Sequence, residues 1–422
     1  MKLKHKHMRI IEPHHLKTVA YQSTQGRKRS VRLWPLAVLG IFLLALTGAV
    51  WRYYQPLPQA VFKETKQQYS QKAYEFSWPA TSKSAAGAVG FGVLGASATD
   101  ETPAPTASVI KVATALAVLE KQPLSLNEAG PTITLTAEDE DYYREYLAKD
   151  GSVTAVTAGG TLSEYQALQT LLLPSSNNIS KTLARWAFGS QDAYTAYANS
   201  MVKKLGMTNT RITDASGFSP DTVSTPSDLV KLGIAALSNP VIAQIVGQAT
   251  VDVPLAGRLN STNSLLGQSG INGIKTGTTN EAGGCFLASA FHEYANGEKV
   301  TVVAAVMGAP TRTDAMNQSK PLLTQVKSGF GDTIVVAKGQ QFGTLASAWG
   351  SQVAVVAKDD VKIFGWQSAL PSTKPTIVSH EYGKGAELGN VSVTFGRVIK
   401  SVPLVQEGEL LPPTAWWRLR RD

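Results

Sequence analysis

From Leu33 to Trp51 the chain reads LWPLAVLGIFLLALTGAVW, 19 residues without a charge, and Arg52 closes the run. A helix of that length crosses a hydrocarbon core of about 30 Å. A run that is apolar on every face finds no such solvent in water. It therefore splits the chain into a short leading segment and a large following body. Residues 1–32 carry nine Lys or Arg and one acid, +8 in all. Basic flanks stay in the cytoplasm, so a single pass is expected, with the body outside. A cleaved signal peptide is the competing reading, because Thr47 and Ala49 are small residues suited to a cut. The long basic region and the Trp51-Arg52-Tyr53-Tyr54 belt favour a retained anchor over residues 33–52.

The net charge of +9 invites a nucleic-acid reading until it is located. The last five residues, Arg418 to Asp422, add +2; with the leading +8 removed as well, everything between sums to −1. The body is close to neutral, which removes the electrostatic basis for nucleic-acid binding. An apolar fraction of 43% against 17% charged describes a folded chain with a large core. The single cysteine, Cys285 in GGCFLASA, rules out an internal disulfide and reads as a buried thiol. Four of six histidines lie in the basic tail, leaving only His292 and His380 for the body. A histidine metal site or a Ser-His-Asp triad is thus poorly supplied.

Residues 53–83, with Pro56, Pro58 and Pro79, read as a linker. AAGAVGFGVLGAS follows as a Gly/Ala-rich first strand, and then a mixed helical region. Ser163 with Gln166 forms a capping-box pattern for a helix that Pro174 ends; NNISKTLARWAF is the next, stopped by Gly189. Thr225-Pro226 opens another. CFLASAFHEYANGEKVTVVAAVMGA is two apolar strands around Asn296-Gly297, a hairpin signal. Short Val-rich runs over residues 329–411 suggest a small all-β domain. The closing segment, 412–422, with Trp416, Trp417, Arg418, Arg420 and Arg421, is too short to span a membrane and suited to lie on an anionic one.

PTASVIKVATALAVLE places Lys111 three residues after Ser108 in an otherwise apolar helix. Side chains three apart meet on a helix. Desolvation and a second nearby cation disfavour an ammonium, so Lys111 is expected to be a neutral amine able to take the proton of Ser108. Ser-x-x-Lys alone is weak: Ser200 and Lys203 match it on a polar face. Its company is stronger. PSSNN supplies Ser175 and Asn177, 67 residues after Ser108; GIKTGTT supplies Lys275, Thr276 and Gly277, 100 residues after Ser175. S-x-x-K, S-x-N and K-T-G in this order form the signature of serine penicillin-recognising enzymes. Ser261 with Asn263, and Lys327-Ser328-Gly329, match the second and third motifs but sit in the wrong contexts.

With LLLPSSNNISKTLA, GMTNTRITDASGF, STPSDLVKLGIAAL and KTGTTNEAGGCFLASA, the chain from about Ala85 to Leu411 resembles the D-alanyl-D-alanine carboxypeptidases, low-molecular-mass penicillin-binding proteins of peptidase family S11. The resemblance implies an α/β (α+β) fold, β-lactamase/transpeptidase-like. A catalytic domain over 84–328, an antiparallel sheet flanked by helices, would precede the small β-rich domain. Ser108 would attack the carbonyl between two D-alanines and Lys111 would be its base. Ser175 would relay the proton to the leaving amine, and Asn177 would hold the substrate backbone. Lys275, Thr276 and Thr278 would receive the terminal carboxylate. Gly277 would let substrate lie against its strand, and the N–H groups of Ser108 and Thr278 would form the oxyanion hole. Implied partners are peptidoglycan stem peptides ending in D-Ala-D-Ala, β-lactams as covalent inhibitors, and membrane lipid. The chain departs from the family at Ser176, where glycine is usual, and a small effect is expected.

Three alternatives remain. A class A β-lactamase needs a glutamate between the second and third motifs, and none lies between Tyr165 and Asn280. A DD-transpeptidase is chemically close and would pass the acyl group to an amine. A catalytically inactive wall-binding scaffold would have lost a motif residue, and none is lost.

Overall fold

The computed structural model describes residues 33–97 and 102–421; the basic tail, 1–32, lies outside the described residues. The chain forms two compact units, Met1–Pro58 with Pro412–Asp422, and Gln59–Leu411.

In the first unit the apolar run is one helix, Trp34–Tyr54, with no buried residue, long and apolar enough to cross a membrane. Proline near its start needs no helical donor there. Its last carbonyls are met by the chain's other end. Arg421 donates to the carbonyls of Arg52 (2.9 Å), Gln55 (2.8 Å) and Pro56 (3.0 Å). Arg418 donates to Tyr53 O at 3.2 Å and stacks over the Tyr53 ring. The closing segment is a short helix, Ala415–Arg420, capped by the Thr414 side chain.

The second unit is built on a five-stranded antiparallel sheet, ordered Ile271–Thr279, Gly283–Glu293, Lys299–Ala309, Lys83–Ala88, Gly92–Ala96. Alternation along these strands fills two cores. Leu287, Val303 and Ala305 face the helical region, whereas Phe286, Ala288, Val302, Ala304 and Val306 face the Arg312–Ser328 helix. The expected first strand is instead a hairpin, because Gly90 and Gly92 take φ of 83° and 74° and turn the chain within AVGFG. The Asn296-Gly297 hairpin and the Ser163–Gln166 capping box form as read. Gly189 ends the Asn177–Phe188 helix at φ 84°.

Beyond the Arg312–Ser328 helix, a six-stranded sheet and the pair Phe330–Val336 with Val361–Trp366 make up the β-rich part. The segment expected to be a linker contributes to both sheets' surroundings. Val61–Glu64 pairs antiparallel with residues 343–346 as an edge strand. Tyr74 and Phe76 pack on Trp366, with ring centroids 4.9 and 5.9 Å away. Its aromatic residues, passed over in favour of its prolines, are what fix it.

Candidate active site

The Ser-x-x-Lys motif spans a tight 3-10 turn, Ala107–Ile110, that runs into the Lys111–Lys121 helix. In such a turn side chains three apart eclipse, which aims the Lys111 amine at the Ser108 hydroxyl. Lys111 Nζ lies 2.7 Å from Ser108 Oγ, 2.6 Å from Asn177 Oδ1 and 2.9 Å from Ser216 O. Val109, Ile110, Val112 and Lys111 itself are fully buried, while Ser108 is only half-buried. The hydroxyl is open on one side and its amine neighbour is not. Burial first, and then the charge of Lys275, hold Lys111 well below the ordinary lysine range; the Asp214 carboxylate opposes them.

The third motif lies on the sheet's edge strand, Ile271–Thr279, pressed against the turn that carries Ser108. A Cβ on Gly277 would fall 2.7 Å from Ser108 N and 2.9 Å from Ala107 Cβ. The close approach that requires glycine is therefore to the serine's own backbone, a constraint the substrate-based reading of Gly277 did not contain. Ala107 itself takes φ of 44°, a strained value for a residue with a Cβ. Lys275 is buried and donates to Thr276 O at 2.9 Å. Burial, then the Arg312 charge, bring it down to about 7. Thr276 Oγ1 donates to Thr262 Oγ1 at 2.7 Å, whereas Thr278 is exposed and its hydroxyl donates to Gly277 O at 2.7 Å.

The second motif crosses from the Glu164–Leu172 helix to the Asn177–Phe188 helix. Ser175 takes φ of 70° and is 4% exposed. Asn177 points its side-chain oxygen at the Lys111 amine. Ser176 is buried, and its hydroxyl bonds to Thr154 Oγ1, which ties the preceding loop to the motif. Among the described residues no side-chain hydrogen bond links Ser175 or Lys275 to the Ser108–Lys111 pair. The hydrogen-bonded cluster is Ser108, Lys111, Asn177 and Ser216.

Three contributors escaped the motif reading. Arg312 follows a strand end and adds a second cation beside Lys275. Thr262, inside the decoy Ser261–Asn263, donates its N–H to Leu173 O at 3.0 Å as well as accepting from Thr276. It thereby joins the second motif's approach to the third. Asp214 organises the loop that carries Ser216. Beside the motifs runs a groove of about 740 Å³, lined in part by Tyr146, Asp214, Phe218, Thr278 and Thr279.

The peptidase S11 family, described as D-alanyl-D-alanine carboxypeptidase, matches residues 92–311, just over half of the chain. A D-alanyl-D-alanine endopeptidase of Pseudomonas aeruginosa is 32% identical over 193 residues, 43% of this chain and 58% of that protein. The D-alanyl-D-alanine carboxypeptidase DacB2 of Mycobacterium tuberculosis is 34% identical over 211 residues, 48% of this chain and 67% of its own length. The chain thus spans about three fifths to two thirds of the length of these two curated relatives. Penicillin-binding protein 5 from Haemophilus influenzae shares the fold at a TM-score of 0.56 and 21% identity, covering 79% of this chain and 99% of that one. The Streptomyces K15 DD-transpeptidase does so at 0.52 and 23%, covering 59% and 98%.

Proposed function

Because this chain belongs to peptidase family S11, the D-alanyl-D-alanine carboxypeptidases, we propose that it is a membrane-anchored serine carboxypeptidase that removes the terminal D-alanine from peptidoglycan stem peptides. The observation that carries this reading is the amine of Lys111, fully buried and 2.7 Å from the half-buried hydroxyl of Ser108. Lys111 takes the hydroxyl proton as Ser108 Oγ attacks the carbonyl between the two D-alanines. The N–H groups of Ser108 and Thr278 receive the developing oxyanion. Ser175 relays the proton held by Lys111 to the departing amine, the carbon–nitrogen bond breaks, and D-alanine leaves. Lys275, seconded by Arg312, with Thr276 and Thr278 holds the terminal carboxylate. Asn177 orients Lys111 through its bond to Nζ and holds the substrate backbone. Water then gives a proton to Lys111 as it attacks the acyl-enzyme carbonyl, the ester bond breaks, and Ser108 Oγ takes that proton back. A β-lactam enters the same sequence and stalls at the acyl stage.

The name of the P. aeruginosa relative favours a second reading, cleavage of a bond within a peptide instead of at its end. Mass spectrometry separates the two. With a purified pentapeptide and a cross-linked dimer offered together, a carboxypeptidase shortens the pentapeptide by one alanine and leaves the dimer joined. Conversion of the dimer to monomers with the pentapeptide intact would establish the endopeptidase. A product joined to an added amino donor would establish a transpeptidase.

The Trp34–Tyr54 helix is the anchor of this reading, with the N-terminus cytoplasmic and the body, domains 84–328 and 329–411, outside. The 412–422 segment rests on the outer leaflet, where exposed Trp416 and Arg420 meet anionic lipid while Arg418 and Arg421 bond the carbonyls of Tyr53, Arg52, Gln55 and Pro56. Deleting residues 414–422 weakens binding of the protein lacking residues 1–52 to phosphatidylglycerol liposomes; unchanged binding would remove the lipid contact from the account.

A further inference from the structure

The loop Thr213–Ser219 is folded by one carboxylate. Asp214 Oδ2 accepts from Ser216 N (3.1 Å), Ser216 Oγ (2.5 Å) and Phe218 N (3.1 Å), and Oδ1 accepts from Thr222 Oγ1 (2.6 Å). Four donors on one side chain wind the loop tightly, and the winding turns two successive carbonyls onto the Lys111–Lys121 helix. Ala215 O accepts from Thr114 Oγ1 at 2.7 Å, and Ser216 O accepts from Lys111 Nζ at 2.9 Å. Thr114 and Lys111 are one turn apart, so the loop grips one face of that helix. Gly217 completes the fit. It takes φ of 70°, and a Cβ there would lie 2.0 Å from Ala107 O, in the nucleophile's own turn.

We infer that Asp214 is a positioning residue for Lys111: it folds the loop whose carbonyl holds the amine. The inference rests on the proposed acylation of Ser108 with Lys111 as base. The groups around Lys111 come from every element packed on it. Lys275 on the edge strand is cationic; Ser108, Asn177 and the Ser216 carbonyl are neutral; Tyr146 reaches Ser216 Oγ at 3.2 Å and Tyr194 reaches Thr114 Oγ1 at 2.7 Å. Against burial and Lys275, which strip the proton from the amine, Asp214 is the opposing charge. Without it the amine would be a weaker base, neutral over a wider pH range and poorer at taking the serine proton.

The sign of the effect follows. Acylation needs neutral Lys111, so its rate rises with pH through the amine's titration. Removing a facing negative charge destabilises the ammonium, and the acid limb moves to lower pH by about one unit, the low end for an adjacent opposite charge. A purely structural loop residue would lower the rate equally at every pH. The test is the acylation rate of the full chain in detergent with a fluorescent penicillin, from pH 4 to 9, for the wild type, Asp214→Asn and Asp214→Glu. The limb moves down in Asp214→Asn and returns toward the wild-type position in Asp214→Glu. An unmoved limb in Asp214→Asn overturns the inference, as does one moved upward. Should Asp214→Asn fail to fold, Thr222→Val carries the test by removing one donor and keeping the charge. Its plateau rate falls with the limb in place, and an unchanged plateau rate or a limb shifted downward there overturns the inference. A wild type that is not labelled at all overturns the proposed function instead, so the two failures are distinct.

Discussion

A lysine enclosed by Val109, Ile110 and Val112 releases its proton where an exposed lysine would keep it, and Lys111 is fully enclosed. A guanidinium cannot be neutral in the same place. Lys111→Arg should therefore lower penicillin acylation by about 10³-fold or more, since general-base assistance to a weak nucleophile is worth about 10²–10⁴. In the proposed function Lys275 works in the opposite state, charged to hold a carboxylate, and burial with the Arg312 charge brings it down to about 7. The acylation efficiency should accordingly fall on the alkaline side, through about 7, while the acid side reports Lys111. A profile still rising at pH 9 would remove Lys275 from carboxylate recognition. Outside the site, Glu164 is fully buried and neither of its side-chain oxygens has a partner. Burial pushes its carboxyl up to about 7. The folded state thus binds a proton more tightly than the unfolded one, and this stability is present below the ordinary glutamate range and lost as pH rises through 7. Glu164→Gln should raise the thermal midpoint by a few degrees at pH 8 and hardly at pH 4, as read by differential scanning calorimetry.

At the scale of turns, strands and loops, the three motifs matter because a 3-10 turn, an edge strand and an interhelical loop meet. Gly277→Ala tests that meeting. The added carbon would sit 2.7 Å from Ser108 N, so the strand and the Ser108 turn must part. Acylation should drop by about 10²-fold, the effect of roughly an ångström of misplacement, with the protein still folded by circular dichroism. An unchanged rate would show that the turn does not depend on this approach. Much of this was legible in the chain: Ser108 and Lys111 by spacing, the helix ends by Ser163, Gly189 and Thr225, and the hairpin by Asn296-Gly297. These signals are local, set by residues a few positions apart. What escaped is non-local. Asp214 reaches Lys111 through a loop about a hundred residues away in sequence, Thr262 joins two motifs from within a decoy, and Arg312 acts on Lys275. Each has an ordinary residue type in an ordinary polar stretch. The 61–64 edge strand was hidden for the same reason, since its partner lies at 343–346.

For the whole molecule, the division into two units has a direct consequence. Every motif residue lies within Gln59–Leu411, and the apolar helix lies outside it. A chain lacking residues 1–52 should stay in the supernatant after high-speed sedimentation in detergent-free buffer and keep its acylation rate within about twofold, because no motif residue lies in the apolar helix. Its loss of labelling would mean that the anchor helps build the site. The central claim, that the Lys111 amine switches on the Ser108 hydroxyl, is tested most directly by intact-protein mass spectrometry after exposure to benzylpenicillin, with the adduct located by peptide mapping. The account predicts one penicilloyl group per chain, on Ser108, absent from Ser108→Ala, and formed far more slowly in Lys111→Arg. An adduct on any other residue, or a Ser108→Ala chain that still releases D-alanine at the wild-type rate, would contradict it.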